Sequence, residues 1–182
     1  KKLNEVIERR LQGEPLQYIF QEAWFWKSRF VVGPGVLIPR PETELIVERC
    51  LGLSANEMKV AELGAGSGNI GISVLLERPL WQWHAYEISS KSARFAQINQ
   101  TQNLSDRHRY QLHTGDFFEC AKLEAPFDLI VSNPPYIAKA ELATLSEEVQ
   151  SEPSRALDGG ESGLELIERL MQASLELLKP KG

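Results

Sequence analysis

Residues 58–68, MKVAELGAGSG, decide the fold class, because here a short apolar run ends directly in glycines. The run predicts a strand, and the apolar stretch NIGISVLLE after it predicts a helix. The stretches WQWHAYEIS, YQLHTGD and FDLIVSNPPY predict three more strands, with KSARFAQINQTQ as a helix after the first of them. Strands and helices that alternate at this spacing indicate a parallel sheet with crossover helices, which is the doubly wound α/β fold.

Two segments precede this alternation. Apolar residues recur at helical spacing in LNEVIERRLQ, residues 3–12, and the segment 1–13 is expected to be the remnant of an N-terminal helical domain or a linker. The segment 14–57 is at first aromatic and β-branched, in YIF, in WFWKSRFVV and in VLI after a Gly-Pro-Gly turn, which predicts a small β-hairpin or meander. Pro41, followed closely by two glutamates, then opens a helix.

The main domain is expected to occupy residues 58–182 and to end in another helix. Ser162 and Glu165 predict a capping box at the start of that helix. A single apolar stripe is predicted along it, formed by Leu164, Ile167, Met171, Leu175 and Leu178. Because four strands are too few for a complete fold of this type, we expect the chain to be trimmed at both ends, with C-terminal strands missing.

The composition is that of a globular protein of one domain, with 182 residues of which 42% are hydrophobic and 25% charged. The 20 Lys and Arg residues are outnumbered by 25 Asp and Glu, which disfavours direct binding of nucleic acid through its phosphates. No run approaches the roughly 18–20 apolar residues of a membrane span, and no secretory signal opens the chain. Two cysteines are a poor basis for a disulfide framework or a zinc site. We therefore expect a cytoplasmic monomer without a metal.

The glycine loop between the first strand and its helix is the first candidate site. Glycines at such a position let backbone N–H groups and the helix N-terminus approach a ligand closely. The candidate residues are Glu62, Gly64, Ala65, Gly66, Ser67 and Gly68. Their G-x-G-x-G spacing differs from the G-x-G-x-x-G of dinucleotide folds, so a nicotinamide dehydrogenase is the weakest interpretation. A tight turn without a ligand remains the alternative.

Further candidates end the next two strands, on the same carboxyl edge of the sheet. Glu87 follows Gly68 at about the 20-residue distance at which an acid accepts hydrogen bonds from ribose hydroxyls in doubly wound sheets. Asp116 and Phe117 end the third strand, where an acid can hold an exocyclic amine and an aromatic ring can cover a flat base. The alternatives are a solvated acid at Glu87 and an ordinary core aromatic at Phe117.

The most specific pattern is Asn133-Pro134-Pro135-Tyr136, which follows the apolar strand DLIVS. The two prolines fix φ and remove two backbone donors. The side-chain oxygen of Asn133 beside the carbonyl of Pro134 makes a pair of acceptors that can hold one NH₂ group, with Tyr136 as a flat wall. A rigid turn that only ends the strand is the alternative.

The sequence resembles the class I S-adenosylmethionine-dependent methyltransferases that act on a planar amino group. The resemblance rests on four features in this order along the chain: ELGAGSG, Glu87, GDFF and NPPY. Within that class the sequence is similar to the HemK family, the N5-glutamine methyltransferases of peptide-chain release factors. The matching stretches are VLIPRPETELIVE at 36–48, NPPYI, and ALDGGESGLELI at 156–167. The resemblance covers residues 14–182 and implies a Rossmann-like class I methyltransferase sheet. IPRPETE separates this family from nucleic-acid methyltransferases with NPPY or NPPF, and from ribosomal-protein glutamine methyltransferases, whose segment usually reads PRSP.

The resemblance implies a role for each matching residue on the cofactor side. Residues 64–68 would hold the methionine part of S-adenosylmethionine, which leaves as S-adenosylhomocysteine, and Glu87 would hold its ribose. Phe117 and Asp116 would contact the adenine, and Asn133 is a further expected contact of the cofactor. Two departures from the family pattern occur here, since Glu87 stands where the family usually has Asp, and Phe117 where Trp is often found.

On the substrate side the implied partner is a class 1 release factor, through the glutamine of its Gly-Gly-Gln motif. Asn133 and Pro134 would orient the glutamine amide, and Pro135 and Tyr136 complete this catalytic motif. The same cleft would be lined from the N-terminal side by Arg40, Glu42 and Thr43.

Two other functions remain open on the sequence. An N6-adenine or N2-guanine nucleic-acid methyltransferase would use the same NPPY motif on a flipped base, but such enzymes generally need basic or target-recognition segments that this acidic chain does not show. A non-catalytic cofactor-binding or scaffold module is the other alternative, and the intact NPPY argues against it.

Overall fold

The structure is a computed structural model that describes residues 2–182, and it begins with the predicted helix. Helix α1 spans Lys2–Leu11, so the helix predicted at 3–12 is confirmed, while Lys1 lies outside the described residues. The apolar side chains of Leu3, Ile7 and Leu11 on α1 are exposed. No helix within residues 2–182 combines the length and apolar character that crossing a bilayer requires.

The hairpin or meander predicted in the first part of the segment 14–57 is confirmed only in part. Residues YIF, predicted as part of a strand, belong to the short helix α2 (Leu16–Phe20). An antiparallel hairpin follows, with β1 (Glu22–Phe25) paired to β2 (Ser28–Val31) and Trp26 at φ +55° in the two-residue turn. Residues 36–38 form no strand. Val36 and Ile38 are nevertheless buried, in the apolar cluster of this region. A short apolar run has no period that distinguishes a strand from a helix, so its sequence does not settle the structure. For residues 18–20 and 36–38 it depends on packing against the rest of the protein.

The helix predicted after Pro41 is confirmed, although its first turn is a 3₁₀ turn at Pro41–Thr43 before α3 (Glu44–Leu51). The predicted sheet follows, with β3 (Lys59–Leu63), β4 (Gln82–Glu87), β5 (Tyr110–Thr114) and β6 (Leu129–Ser132). All three pairings are parallel and the order is β5-β4-β3-β6. The crossover helices α4 (Asn69–Glu77) and α5 (Ser90–Asn103) are those predicted. The strand order reverses between β3 and β6, so ligands are expected at their carboxyl ends.

Two apolar clusters cover the two faces of the sheet. Successive side chains of a strand point to opposite faces, and Val60 and Trp83 accordingly belong to the cluster that includes α3 and α4. Ala61 and Tyr86 belong to the other cluster, which includes Phe117 of the short helix α6 (Phe117–Cys120). A second short helix, α7 (Glu147–Gln150), lies beyond β6 in the chain.

The last helix, α8 (Glu165–Leu177), buries a different face from the predicted stripe. Met171 and Leu175 of that stripe are 67% and 84% exposed, and the residues that pack against the sheet are Leu166, Leu170, Ala173 and Leu177. The apolar residues of this helix form a face wider than one stripe, so the sequence offers two candidate stripes and the position of the sheet selects one. The capping box is half formed, because the Glu165 carboxylate accepts from the Ser162 N–H but the Ser162 hydroxyl accepts from Leu164.

Two histidines are stacked between neighbouring strands. His84 in β4 and His113 in β5 have nearly parallel rings with centroids 5.4 Å apart, and His84 Nδ1 lies 3.2 Å from His113 Nε2. Both rings belong to residues inside strands of the sheet. His84 Nε2, however, is buried and has no hydrogen-bond partner in the part of the chain that the structure describes. Burial, aided by the nearby charge of Lys59, lowers the pKa of His84 to about 4.

Acidification is therefore expected to destabilise the fold through His84. The unfolded chain protonates this residue near pH 6.5 and the folded protein only near pH 4, so the free energy of unfolding falls as the pH drops through that window. Between pH 7 and 5 the loss from this residue is about 2 kcal/mol. Urea unfolding at both pH values measures it. From pH 7 to pH 5 the free energy of unfolding of His84→Gln should fall by about 2 kcal/mol less than that of the natural protein. An equal fall in both proteins would contradict the prediction.

Candidate functional site

The glycine loop leaves β3 with its backbone turned towards open space. Gly64, Gly66 and Gly68 have φ values of +72°, +59° and +79°, which favour glycine. The carbonyl of Tyr86 fixes the start of the loop by accepting from the N–H groups of Gly64 at 2.9 Å and Ala65 at 3.1 Å. A Cβ built on Gly64 would meet no atom of the described residues within 4 Å. The backbone of the loop at Gly64 therefore borders open space, which is compatible with the predicted ligand site.

Glu87 ties this loop to the end of β4. Its Oε2 accepts from the Gly66 N–H at 2.9 Å and its Oε1 accepts from the Ser89 N–H at 2.8 Å, and the side chain is only 7% exposed. The solvated acid that we considered as an alternative is thus not what the structure shows. Each carboxylate oxygen can accept more than one hydrogen bond, so the predicted contact with a ribose remains compatible with this arrangement.

Glu62 lies on the other side of the loop, in the core. The side chain has no exposed surface, and Glu62 Oε2 accepts from Trp83 Nε1 at 2.6 Å. Burial raises the pKa of Glu62 to about 8, because the charged carboxylate loses its hydration there. The structure therefore does not bring this predicted cofactor residue to the open side of the loop.

Asp116 and Phe117 lie next to Glu87, because the Gly115 N–H donates to the Glu87 carbonyl at 3.0 Å. Asp116 is exposed and caps α6 by accepting from the Phe118 N–H at 2.8 Å. Phe117 is 2% exposed and packs edge-on against Tyr86, with ring centroids 5.2 Å apart. Of the two interpretations of Phe117, the structure shows the core aromatic, and a contact with adenine stays a prediction.

The Asn133-Pro-Pro-Tyr motif begins where β6 pairs with the last residue of β3. Ser132 lies opposite Leu63 and its hydroxyl donates to the Leu63 carbonyl at 3.0 Å. Asn133 Nδ2 donates to the hydroxyl of the buried Thr43 at 3.1 Å. Within residues 2–182 no hydrogen bond occupies Asn133 Oδ1. The amide oxygen is thus available as an acceptor next to the glycine loop.

A cavity of about 380 Å³ lies between the predicted substrate residues. It is lined by Leu37, Arg40, Glu42, Thr43, Ile46, Asn133, Pro134, Tyr136, Ile137, Leu145, Val149, Ala156 and Leu157. The structure therefore brings Arg40, Glu42 and Thr43 together with Asn133, as predicted, although these two segments are far apart in the chain. The ring of Tyr136 is largely exposed at this cavity.

Glu152 holds one wall of the cavity, and sequence reasoning missed it. Its buried carboxylate accepts from the Ile38 N–H at 2.9 Å and forms an ion pair with the Arg40 guanidinium. Nothing in the sequence near Glu152 signals this role. The pairing depends on a contact between segments more than a hundred residues apart.

The glycines of ALDGGESG pack against the backbone of the segment that contains the Asn133-Pro-Pro-Tyr motif. The Gly159 N–H donates to the Ile137 carbonyl at 2.9 Å, and a Cβ on Gly159 would lie 2.8 Å from Tyr136 Cα. A Cβ on Gly163 would lie 2.5 Å from the Tyr136 carbonyl oxygen. These glycines are required for close approach to Tyr136, a reason that the sequence does not reveal.

Comparison with known families decides what kind of domain surrounds this site. Residues 41–161, more than half of the chain, match the family model described as methyltransferase small domain. The chain belongs to the methyltransferase small domain family. This stretch contains the glycine loop, Glu87 and the Asn133-Pro-Pro-Tyr motif, so the family match and the site coincide.

Curated relatives of this methyltransferase domain carry a more specific name. A release factor glutamine methyltransferase of Koribacter versatilis is 37% identical over 182 residues, covering 98% of this chain and 64% of the relative. Another of that name, from Geobacter sulfurreducens, is 41% identical over 180 residues, covering 97% of this chain and 61% of the relative. The chain thus spans less than two thirds of the length of these relatives.

Solved structures agree on the fold of the methyltransferase domain. The hMettl16 catalytic domain, in complex with MAT2A 3'UTR hairpin 6, has a TM-score of 0.66 and 17% sequence identity, covering 82% of this chain and 58% of that chain. At this level of identity the likeness is one of fold alone. The predicted Rossmann-like methyltransferase sheet is confirmed.

Proposed function

We propose that this methyltransferase domain transfers a methyl group from S-adenosylmethionine to the side-chain N5 nitrogen of the glutamine in the Gly-Gly-Gln motif of class 1 peptide-chain release factors. The observation that carries the proposal is the acceptor Oδ1 of Asn133, which no hydrogen bond occupies within residues 2–182, on a residue that lines the same cavity as Arg40 and Thr43. The names of relatives 37% and 41% identical support the choice of substrate.

The residues that would hold the cofactor are those of the glycine loop and Glu87. The open space above Gly64 leaves room for a ligand against the backbone, and Glu87 is fixed to the loop through Gly66. When bound, S-adenosylmethionine supplies an electrophilic methyl group. Asp116 lies next in line on the same edge of the sheet and would accept from an amine on the base.

The task of the protein residues is positioning. An amide nitrogen is a poor nucleophile because its lone pair is delocalised into the carbonyl group. Asn133 Oδ1 and the Pro134 carbonyl can accept both N–H protons of the glutamine NH₂, which aims the nitrogen lone pair and stabilises the positive charge that develops on it. Holding the reactants in line can contribute about 7–11 kcal/mol, and no general base is required because the proton can leave after the transfer.

Mass spectrometry of a release factor tests the proposal. The full-length protein is incubated with S-adenosylmethionine and a purified release factor, and a gain of one methyl on the glutamine of the Gly-Gly-Gln motif is expected. A release factor with asparagine at that position is the control and should remain unmethylated. Methylation of DNA or RNA instead would establish the nucleic-acid alternative, and cofactor binding without any transfer would favour a non-catalytic module.

Thr43 is expected to affect turnover through Asn133. Its hydroxyl accepts from Asn133 Nδ2 at 3.1 Å, which fixes the orientation of the amide and leaves Oδ1 for the substrate. Thr43→Val keeps the shape but removes the acceptor, so the amide can rotate and kcat should fall about tenfold, the effect of one lost neutral hydrogen bond. Steady-state kinetics with the release factor measure this, and Thr43→Ser is the matched control that should keep most of the activity. Equal kcat values for the valine and serine variants would contradict this role.

A further inference from the structure

Asn99 lies outside the motifs that the sequence singles out, yet it is fully buried and its side chain makes three hydrogen bonds. On α5, its Oδ1 accepts from the Val31 N–H at 2.6 Å, and its Nδ2 donates to the Val31 carbonyl at 3.0 Å. The same Nδ2 donates to the Ser67 carbonyl at 2.9 Å. One amide group thus joins the last residue of the hairpin to the glycine loop.

The close packing of α5 under the loop makes this bridge possible. A Cβ on Gly68 would lie 3.5 Å from Ala96 Cα, and Ala96 is one helical turn before Asn99. Ser67 itself is buried, and its hydroxyl donates to Asn69 Oδ1 at 2.9 Å. Ser67 is therefore held by its side chain on one side and by Asn99 on the other, which fixes the orientation of the loop between Gly66 and Gly68.

We propose that Asn99 is a positioning residue that couples the hairpin to the glycine loop, so that a bound cofactor and an ordered hairpin stabilise each other. This inference rests on the proposed function, because the cofactor of the loop is the one proposed there. Coupling between two sites is reciprocal, so a ligand that orders Ser67 also stabilises the hydrogen bonds of Val31. The chain that follows Val31 leads to Leu37 and Arg40 in the cavity wall, and Asn99 thereby links the cofactor side to the substrate side.

Calorimetry with S-adenosylhomocysteine on matched variants tests the coupling. Asn99→Ala removes the bridge, and Asn99→Asp places a carboxylate oxygen against the carbonyls of Val31 and Ser67. Both are expected to raise the Kd for S-adenosylhomocysteine at least about tenfold. Asn103→Ala is the control, because Asn103 Nδ2 on the next turn of α5 donates to the Arg29 carbonyl at 3.3 Å and to the backbone carbonyl of Asn99 at 3.0 Å, but does not contact the loop or the Asn99 side chain. It should keep the Kd of the natural protein within about twofold, with circular dichroism verifying the fold of each variant.

Hydrogen exchange in the natural protein gives a readout that does not depend on any variant. Saturating S-adenosylhomocysteine is expected to slow exchange of the Val31 amide at least about fivefold. Unchanged exchange at Val31 would overturn the coupling, even if the Asn99 variants failed to fold. If folded Asn99 variants bound S-adenosylhomocysteine with the Kd of the natural protein, the coupling would be overturned and the proposed function would stand. No binding of S-adenosylhomocysteine by the natural protein would overturn the proposed function and the coupling with it.

Discussion

Asn133→Ala is expected to lower kcat for release-factor methylation by about a hundredfold to a thousandfold, while the Kd for S-adenosylmethionine stays within about twofold. The side chain of Asn133 supplies one of the two acceptors proposed for the glutamine NH₂, and its Oδ1 is free for that purpose because Thr43 engages Nδ2. Without Oδ1 the nitrogen keeps only the Pro134 carbonyl as a partner, so its lone pair is no longer aimed and the developing charge loses a stabilising dipole.

Two measurements on this variant separate substrate positioning from cofactor binding. Single-turnover kinetics report the methyl transfer, and calorimetry reports the affinity for S-adenosylmethionine. Asn133→Asp is the matched variant, since it keeps an acceptor oxygen at the same place but cannot donate to Thr43, and an activity between those of the natural protein and Asn133→Ala is expected. A loss of cofactor affinity as large as the loss of kcat would show that the role assigned to Asn133 is wrong.

Gly71→Ala is expected to lower the free energy of unfolding by about 3–5 kcal/mol. Gly71 is in the middle of α4, where the buried indole of Trp83 passes directly beneath it. A Cβ there would be 2.6 Å from Trp83 Cδ1, so the indole must move. Movement would also break its hydrogen bond to Glu62, which leaves a buried carboxyl group without that donor. Alanine favours a helix by only about 1 kcal/mol relative to glycine, and the clash exceeds this gain.

Gly52→Ala is the control for this prediction. Gly52 follows α3 with φ −71°, and a Cβ there would meet the carbonyl oxygens of Glu48 and Arg49 at 3.5 Å, an ordinary contact. Its stability should stay within about 0.5 kcal/mol of that of the natural protein in urea unfolding. If Gly71→Ala unfolded at the same urea concentration as Gly52→Ala, the indole would not be held under α4 as the structure describes.

Local sequence was enough to predict the elements that carry the candidate site. The four strands of the parallel sheet, the glycine loop and the motif after β6 were predicted from apolar runs that end in glycine or proline. The resemblance to methyltransferases brought Arg40, Glu42 and Thr43 to the same cleft as Asn133, and the cavity contains all of them. Such patterns are predictive because strand ends in a doubly wound sheet meet at one edge, whatever the rest of the chain does.

Other features depend on contacts between distant segments. The sequence could not show that Glu62 points into the core, that Glu152 pairs with Arg40, or that Asn99 binds both Val31 and Ser67. Each of these pairings is between residues far apart in the chain, and no local period records it.

The sequence by itself determined the α/β class, the order of the elements and the residues at the carboxyl edge of the sheet. Only the tertiary structure decided the helix α2 in place of a strand, and the face of α8 that is buried. The physical reason is the same in both cases. A short apolar run fits either a strand or a helix, and a wide apolar face fits more than one buried stripe. In both situations burial against the rest of the protein selects the structure.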